Sequence, residues 1–498
     1  MTRTATLFGE TAGMGTGQRD LRVVVVGAGM AGILSAIKLR EAGLTDLVVY
    51  EKADRLGGTW RENTYPGIAC DVPAHLYSYS FALNPDWSQT FSPGDEILAY
   101  FERVAREHDV VDDIRFGEEV TSCVWIDGRW HLETSAGTRD EADVVIAATG
   151  VLHHPRYPEI EGLDDFAGAW FHSSRWDHEV AIDGARVGVV GSGSTATQIT
   201  SGIVDRVAHL SLFQRTAQWI APLENPAYDD ETRRMFRADP ERLEGAHNSL
   251  SAAFEGFSHA VVEADSPAMA AIEQACRDNL EQSITDPDLR ERLRPDYRAG
   301  CKRLVLSGDF YRAIQEPQAE VVTAPIEQVE AAGVRTVDGH LHELDVLVLA
   351  TGFHTHAFMR PMAVTGRDGR TLAEAWADRP VAYLSISIPE FPNLFLLNGP
   401  NGPVGNFSLI GVAELQLTYV LQLIDRLRDG ACREISASQA ATDDFEERRL
   451  EASRNTIWAT GCRSWYLDDR GVPAVWPFRY ERFREEMAAP DLSAYELV

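Results

Sequence analysis

Two stretches of the chain share one pattern, in which a short apolar run enters a glycine-rich loop that continues into helical spacing. The first is Leu21–Val26 followed by the loop GAGMAG, and the second is Arg186–Val190 followed by GSGSTA. Apolar, β-branched runs of this length are typical of buried parallel strands. A strand that turns through such a loop into a helix lets a pyrophosphate approach the backbone and the positive helix end. The sequence therefore predicts an α/β fold with two dinucleotide-binding, Rossmann-like domains, and the loop positions expected to contact cofactors are Gly27, Gly29, Gly32, Gly191, Gly193, Ser194 and Ala196.

The next strand of each unit ends in residues of opposite charge. Glu51 follows the run Leu47–Tyr50, whereas Arg215 and Thr216 follow the run Leu210–Phe213. Glu51 and Arg215 occupy the same register, since each lies 24 positions after the first glycine of its loop (51 − 27 and 215 − 191). A carboxylate at this place accepts hydrogen bonds from a ribose, whereas a guanidinium binds the 2′-phosphate of NADP in a two-pronged grip. We therefore expect FAD in the first site and NADPH in the second.

A second glycine pair lies after Glu51, in the pattern Gly57-Gly58-Thr59-Trp60 followed by Tyr65-Pro66-Gly67 and Asp71. Glycines here allow a further close approach of the backbone to a cofactor, which suits the larger FAD. Read from the residues alone, Trp60 and Tyr65 could equally be core aromatics, and Asp71 could be a solvated turn or a helix cap. The expected FAD contacts in this stretch are Gly58, Thr59, Trp60 and Asp71.

The order of these features predicts how the domains interleave. Both strand ends that read Ala-Thr-Gly, at residues 148–150 and 350–352, are typical of flavoproteins with two dinucleotide domains. Residues 223–300 lack strand-like runs and have helical spacing, which predicts a helical insertion that either covers a cleft or is a packing subdomain. We expect a disordered leader (1–20), a first FAD-binding part (21–155), a linker (156–184), a first NADP-binding part (185–222), the insertion (223–300), a second NADP-binding part (301–378) and a second FAD-binding part (379–498).

Amino-acid composition and net charge limit the classes of partner that the chain can bind. The chain of 498 residues has 46 Lys and Arg against 76 Asp and Glu, a net charge of -30, which disfavours nucleic acids and anionic membranes as partners. No apolar run reaches transmembrane length, and the N-terminal residues lack the order of a signal peptide. The six cysteines show neither a CxxC motif nor zinc spacing, so we predict reduced thiols, no metal site and a cytoplasmic location. A monomer or a small homo-oligomer is expected.

The stretch between the two loops reads Phe166-x-Gly168-x3-His172-x3-Trp176-Asp177. It resembles the fingerprint of type I Baeyer–Villiger monooxygenases, and the Gly-Gly-x-Trp…Asp stretch is similar to a second motif of that family. Flanking segments are similar to the branch that oxidises 4-hydroxyacetophenone, without that branch's long N-terminal extension. The resemblance implies that the fingerprint residues couple nucleotide binding to domain closure.

The same resemblance assigns roles near the active site. It places Asp71 beside the flavin as the partner of Arg303, with both residues catalytic, and directs Lys302 to the NADP phosphate. Trp465 is expected to contact the nicotinamide half of NADP, although from the residues alone it could equally be a C-terminal hydrophobic anchor. The implied reaction uses NADPH and O2 to turn a ketone into an ester or lactone through a C4a-peroxyflavin, and an arginine that stays charged would stabilise the anionic oxygen.

Two other functions remain open at this point. One is a flavin-containing N- or S-oxygenase, a family that lacks the terminal Trp-Asp of the fingerprint and the Gly-x-Trp…Asp motif. The other is a non-catalytic protein that binds FAD and NADPH and senses redox state, which the presence of Arg303 and Asp71 disfavours. The sequence leaves the identity of the ketone open.

Overall fold

The computed structural model describes residues 18–498. The leader expected at residues 1–20 therefore lies, up to residue 17, outside the described residues. The strands, in chain order, are β1 (Val23–Val26), β2 (Leu47–Glu51), β3 (Ile114–Phe116), β4 (Val120–Ile126), β5 (Arg129–Thr134), β6 (Arg139–Ala142), β7 (Val144–Ala147), β8 (Ala169–His172), β9 (Arg186–Val190), β10 (His209–Phe213), β11 (Ile220–Ala221), β12 (Val305–Leu306), β13 (Ala319–Val322), β14 (Ile326–Glu330), β15 (Gly333–Thr336), β16 (Leu341–Glu343), β17 (Val346–Leu349), β18 (Ala363–Thr365), β19 (Leu394–Leu396), β20 (Ile435–Ala437) and β21 (Tyr495–Leu497).

The helices alternate with these strands. The α-helices are α1 (Met30–Glu41), α2 (Thr59–Glu62), α3 (Gly94–Glu107), α4 (Ser194–Ile203), α5 (Asp230–Ala238), α6 (Pro240–Val262), α7 (Pro267–Ser283), α8 (Pro287–Arg292), α9 (Phe310–Ala313), α10 (Leu372–Ala375), α11 (Leu409–Arg428), α12 (Gln439–Ser453) and α13 (Tyr480–Ala488). Short 3-10 helices lie at Val111–Asp113, Leu163–Asp165, Ser173–Arg175, Arg367–Gly369, Ile457–Ala459 and Leu492–Ala494.

Two five-stranded parallel sheets form the framework, and their strand orders correspond. The first sheet runs β19-β7-β1-β2-β3 and the second runs β8-β17-β9-β10-β13. In each, the strand that enters the glycine loop pairs on one side with the Ala-Thr-Gly strand and on the other with the strand that ends in Glu51 or leads to Arg215. The predicted α/β fold with two Rossmann-like units is therefore confirmed.

The core follows from the alternation of side chains along strand β1. Val23 and Val25 pack into a cluster with α1 and α11, whereas Val24 and Val26 pack into a second cluster with the antiparallel strands β4 and β5. Because all four valines are buried, the strand reads as a continuous apolar run. Both faces of the first sheet are thus covered, and only its strand ends reach the cofactor side.

Residues 223–300 contain the four helices α5 to α8. The segment expected to be a linker contains strand β8, whose residues pair with β17 at the edge of the second sheet. The fingerprint is therefore partly built into that sheet. None of the helices within residues 18–498 has the length and apolar character needed to cross a bilayer.

The prediction of reduced thiols is wrong for two cysteines. Cys301 and Cys462 form a disulfide, with Cα atoms 6.1 Å apart and a separation of 161 residues along the chain. The sequence could not indicate this pair, because the fold alone brings two such distant segments together. The remaining thiols are free and buried, at Cys70, Cys123, Cys276 and Cys432.

Candidate active site

The first glycine loop closes tightly on the end of β7. Gly27 has φ +100°, and a Cβ added there would lie 2.7 Å from the carbonyl oxygen of Ala148. A Cβ on Gly32 would lie 1.8 Å from the carbonyl oxygen of Gly27, so no larger residue fits without moving the backbone. Gly29 precedes helix α1, and no side chain caps the helix. The first backbone N–H groups of α1 are therefore free to bind an anion.

The second loop repeats this arrangement. Gly191 has φ +140°, and a Cβ there would lie 2.3 Å from the carbonyl oxygen of Ala350. The Ala-Thr-Gly strand end thus has the same physical function in both units, since its alanine carbonyl packs against the first loop glycine. Helix α4 begins at Ser194 after Gly193, again without a side-chain cap, and Ala196 is fully buried.

The charged strand ends differ in environment. Glu51 is almost fully buried, accepts hydrogen bonds from the backbone of Ala28 (2.8 Å) and Ala53 (3.0 Å), and pairs with Arg61 at 3.0 Å. Its carboxylate is therefore already fixed, although two oxygens retain capacity for a ribose hydroxyl. Arg215, by contrast, is exposed and has no ion-pair partner among the described residues.

Arg215 lies near a second cation, Lys302. The ammonium of Lys302 lies 4.5 Å from the centre of the Tyr297 ring. Burial lowers the pKa of Lys302, and the neighbouring charge of Arg215 lowers it further, against the opposing effect of Asp296. Thr216 follows Arg215, and its carbonyl accepts a hydrogen bond from the Ser192 hydroxyl at 2.6 Å. Two neighbouring cations that have no ion-pair partner within residues 18–498 form a suitable site for a phosphate dianion.

A cavity of about 560 Å³ lies between the two glycine loops. The predicted site residues that line it are Gly27, Gly29, Glu51, Gly58, Thr59, Trp60, Asp71, Gly193, Ser194, Arg303 and Trp465. The predicted residues that do not line it are Gly32, Gly191, Ala196, Arg215, Thr216 and Lys302. No residue of the insertion, 223–300, is among the described residues that form the cavity wall.

Asp71 and Arg303 meet at this cavity. The Asp71 carboxylate accepts hydrogen bonds from Nε at 2.9 Å and from Nη2 at 2.7 Å. Burial lowers the pKa of Arg303, but Asp71 and then Tyr466 raise it more, so the net pKa lies above the usual value and the guanidinium stays charged. About a third of the Arg303 side chain (34 %) is accessible, and Arg303 lines the cavity.

Residues of the Gly-Gly-x-Trp…Asp motif join the cavity wall to the second unit. The Trp60 indole donates to the Tyr77 hydroxyl at 3.1 Å, and the Tyr65 hydroxyl donates to Gln198 of α4 at 2.9 Å. Gln198 in turn donates to the carbonyl of Ala69 at 3.0 Å. Tyr65 is therefore an interdomain contact rather than a simple core aromatic.

The fingerprint residues lie outside the cavity wall. His172 is buried, donates from Nε2 to the carbonyl of Gly352 at 3.0 Å and accepts at Nδ1 from the backbone N–H of Ser174 at 3.2 Å. Burial lowers the pKa of His172 to about 4, so the ring is neutral at pH 7. Because Gly352 lines the cavity and His172 does not, the hydrogen bond from His172 fixes this part of the cavity wall from outside the cavity.

The other fingerprint positions have packing functions. A Cβ on Gly168 would lie 2.3 Å from the carbonyl oxygen of Asp345, so this glycine allows β8 to approach β17. Phe166 is buried, and Trp176 packs against Phe171 with ring centroids 5.1 Å apart. Asp177 accepts from the backbone N–H of Glu179 at 2.9 Å, which makes it a turn residue.

Three contacts at the site were not foreseen. Tyr77 accepts from Trp60, Gln198 connects the two units, and Tyr466 lies near enough to Arg303 to raise the pKa of its guanidinium. Only Tyr466 had a signal in the sequence, because it directly follows Trp465. The other two lie on segments whose spacing indicates nothing beyond a loop or a helix.

Comparisons with known proteins agree with this geometry. Residues 24–233 match the family model described as pyridine nucleotide-disulphide oxidoreductase. An uncharacterized monooxygenase of Mycobacterium tuberculosis is 48% identical, covering 95% of this chain and 96% of its own. A Baeyer-Villiger monooxygenase of Streptomyces coelicolor is 40% identical, covering 96% of this chain and 93% of its own. This chain belongs to the Baeyer–Villiger monooxygenase family.

A solved structure agrees on both fold and cofactors. The crystal structure of OTEMO in complex with FAD and NADP superposes on this monooxygenase with a TM-score of 0.86 at 26% identity, covering 96% of this chain and 99% of the other. That structure contains FAD and NADP, the two cofactors that the glycine loops of this monooxygenase lead us to expect.

The residues of this monooxygenase fit both dinucleotides. Gly29 and Gly58 face each other across the first loop, where a Cβ on Gly58 would lie 3.0 Å from the Gly29 Cα, so side chains would fill the channel that a cofactor needs. Helices α1 and α4 both present uncapped N-terminal amides at their loops. Beside the first loop lies the buried carboxylate of Glu51, and beyond the second lie the neighbouring cations Arg215 and Lys302.

Proposed function

We propose that this monooxygenase converts a ketone into an ester or lactone, using NADPH and O2. One oxygen atom of O2 enters the product beside the former carbonyl carbon, and the other leaves as water while NADPH is oxidised to NADP+. Bound FAD would supply the redox chemistry that activates O2, with NADPH as the source of hydride. The observation that carries the proposal is the Asp71–Arg303 pair, which presents a fixed positive charge to the cavity between the two dinucleotide loops.

Arg303 is assigned to the charge that develops on oxygen during the reaction. A guanidinium cannot lose its proton at working pH, and the contact with Asp71 keeps the pKa of Arg303 above its usual range. A preorganised charge in a site with little water stabilises developing anions without reorganisation. Asp71 holds the guanidinium through two nitrogens, so the remaining N–H groups are free to face the cavity.

Arg215 and Lys302 are assigned to the 2′-phosphate of NADPH. They lie outside the cavity wall on the side of the second loop, where the adenosine end of a dinucleotide bound at α4 would lie. Trp465, which lines the cavity, is assigned to the nicotinamide half. Glu51 is assigned to the ribose of FAD, and its fixed carboxylate orientation is compatible with that function.

The fingerprint is assigned to domain coupling. His172 holds Gly352 at the cavity edge, and Tyr65 and Gln198 connect the first unit to α4. Binding of NADPH at the N-terminus of α4 would therefore change the position of the segment that contains Asp71. None of these residues needs to touch substrate for this coupling.

The test combines cofactor and product measurements on the purified holoenzyme. Anaerobic NADPH should bleach the yellow flavin, and a panel of ketones under 18O2 should stimulate NADPH oxidation and give ester or lactone that contains one atom of 18O. Bleaching without any oxygenated product would indicate a redox-sensing protein. Oxygen transfer to amines or sulfides with none to ketones would indicate an N- or S-oxygenase, and either result would overturn the proposal.

A ketone is therefore the proposed small-molecule partner, together with O2. A cytoplasmic location and a monomeric or small homo-oligomeric state stay predictions from the sequence. The disulfide between Cys301 and Cys462 is a reason to test the location directly, since disulfides are rare in reducing compartments.

A further inference from the structure

A line of alternating charges runs from the second unit to the carboxylate of Glu51. Its members, in order, are Arg175, Glu62, Arg61 and Glu51, and each forms an ion pair with the next. Arg175 ends the 3-10 helix that follows β8 of the second unit, whereas the other three residues belong to the first unit. The reaction described above leaves Arg175, Glu62 and Arg61 without a function.

Glu51 has little acceptor capacity left at the end of this line. Its carboxylate accepts hydrogen bonds from the backbone N–H groups of Ala28 at 2.8 Å and Ala53 at 3.0 Å, and from Nη1 of Arg61 at 3.0 Å. An ionised carboxylate offers about four lone-pair positions, so about one is left for the ribose hydroxyl assigned to Glu51 above. Any further donor would compete with the ribose for that position.

Arg61 is the nearest source of such a donor, because a guanidinium is a planar fork that commonly binds one carboxylate with two nitrogens. Here the fork is divided between two carboxylates. Nη1 donates to Glu51, whereas Nη2 donates to Glu62 at 2.5 Å. Only 9 % of the Arg61 side chain and 17 % of the Glu62 side chain are accessible, so water screens this pair little. Glu62 therefore keeps the second nitrogen of Arg61 away from Glu51.

Glu62 is itself held from the second unit. Its Oε1 accepts from Arg61, whereas its Oε2 accepts from Nη1 of Arg175. The same Nη1 donates to the carbonyl of Ser174 at 2.7 Å, and the Ser174 hydroxyl lies 2.9 Å from Nδ1 of His172 in the fingerprint. Burial raises the pKa of Glu62, but Arg61 and Arg175 lower it more, so the carboxylate is charged at pH 7. The fingerprint segment thus reaches the first site through Arg175.

We propose that Glu62 is a positioning residue for the FAD site and that Arg175 holds it in place from the second unit. Glu62 divides the fork of Arg61, so that Glu51 keeps an acceptor for the ribose hydroxyl. This inference rests on the proposed function, because it requires FAD to occupy the first site. The affinity for FAD then depends on a residue of the NADP-binding unit.

The test measures the Kd for FAD of the full-length holoenzyme, from the fluorescence of the FAD that is released on dilution. Glu62→Met removes both carboxylate oxygens and keeps the length of the side chain, so both nitrogens of Arg61 can turn to Glu51. The Kd should rise roughly tenfold, the size expected for one hydrogen bond to a charged group. Arg175→Ala should raise it roughly threefold, the size expected for a partly exposed ion pair. The double variant should match Glu62→Met alone, because Arg175 then has no carboxylate to hold.

His178→Ala is the matched control. The Thr64 hydroxyl lies 2.8 Å from Nε2 of His178, and this contact joins the same two segments of the chain, close to Glu62 and Arg175. Neither Thr64 nor His178 belongs to the line of charges. The variant therefore measures the general effect of losing a contact between the units, and its Kd for FAD should equal that of wild type.

A readout independent of affinity is the crystal structure of each variant. In Glu62→Met both Nη atoms of Arg61 should contact Glu51, whereas in His178→Ala the fork should stay divided. If Glu62→Met does not accumulate as folded protein, Arg175→Ala decides the question, since 45 % of the Arg175 side chain is accessible and its loss leaves no buried gap. A Kd for FAD in Glu62→Met and Arg175→Ala equal to that of His178→Ala, or additive effects in the double variant, would overturn the inference. A wild type that binds no FAD would overturn the proposed function instead.

Discussion

Asp71 and Arg303 lie 232 positions apart in the chain, yet their side chains form a two-pronged ion pair at the cavity between the dinucleotide loops. Asp71 comes from the first unit, and Arg303 comes from the segment where the chain returns after the helical insertion. The pair exists only when both units are correctly docked. The formation of this ion pair therefore depends on how the two units are arranged.

Replacing Arg303 tests the charge itself. Arg303→Ala should still bind FAD and fold, because the side chain faces a cavity, but ester formation should fall roughly 10²–10³-fold, the usual loss for one preorganised charge-stabilising group. Arg303→Lys should not restore it, since an ammonium cannot reproduce the planar fork that Asp71 holds. Product analysis with rapid-mixing kinetics measures the effect.

Arg139 provides the control for Arg303. It is exposed on β6, pairs with Glu133 at 2.7 Å and does not line the cavity. Arg139→Ala should keep wild-type ester yield. Ester formed by Arg303→Ala at near wild-type rate would remove the main reason for placing the active site here.

Cofactor preference should depend on Arg215. We expect wild type to prefer NADPH to NADH, and Arg215→Ala to reduce the gap mainly through KM for NADPH. Loss of a charge-assisted contact costs about 2 kcal/mol, or roughly thirtyfold. KM for NADH should be unchanged in the variant, which makes it the internal control. Equal KM values for the two nucleotides in wild type would contradict the assignment.

The sequence predicts the parts of this site that depend on local backbone chemistry. Gly27, Gly32 and Gly191 are recognisable from the glycine-loop pattern, which is required because each has neighbours that exclude a side chain. Strands β1 and β9 are recognisable as apolar runs because they are buried in the sheets. Glu51 and Arg215 followed from their equal distance to the loops. Each of these signals lies within a short stretch of the sequence, so a single sequence is enough to show it.

Contacts between distant segments were not predictable in this way. The pairing of Asp71 with Arg303 was expected only through the family resemblance, and neither the Tyr65–Gln198 bond nor the Cys301–Cys462 disulfide has any signal in residue spacing. Each depends on how the two units dock. Docking is determined by the sum of many weak contacts, which a reading of patterns along one chain does not reveal.

Gly202 tests the docking surface between the units. A Cβ there would lie 2.9 Å from the carbonyl carbon and oxygen of Pro66 and 3.0 Å from the amide nitrogen of Gly67. Gly202→Ala should therefore push α4 away from the first unit, lower the free energy of unfolding by about 1–3 kcal/mol and raise KM for NADPH. Gly256→Ala in α6, where nothing lies within 4 Å, is the control and should be neutral or slightly stabilising. Equal behaviour of both variants would contradict the close contact.

His75 should make stability depend on pH. Its ring is buried among Tyr228 and Phe236 with neither nitrogen hydrogen-bonded, and burial, then the charge of His247, lowers its pKa to about 4. An unfolded histidine has a pKa near 6.5, so the unfolded chain takes up a proton that the folded one refuses. Stability contributed by neutral His75 is complete above about pH 6.5 and is lost as the pH falls toward about 4. Denaturant unfolding of wild type and His75→Phe across this range should show a shallower pH slope for the variant, and identical slopes would refute the assignment.

The disulfide should contribute to stability, because it closes a loop of 161 residues and joins the segment of Arg303 to the segment of Trp465. The double variant Cys301→Ala/Cys462→Ala should unfold with a free energy about 2–5 kcal/mol lower than wild type, the usual effect of removing a native cross-link. Cys276→Ala, which loses a buried free thiol, is the control for the packing change alone. A reducing agent should destabilise wild type and Cys276→Ala while leaving the double variant unaffected. If the reductant shifts all three proteins equally, or none of them, the cross-link does not form in solution.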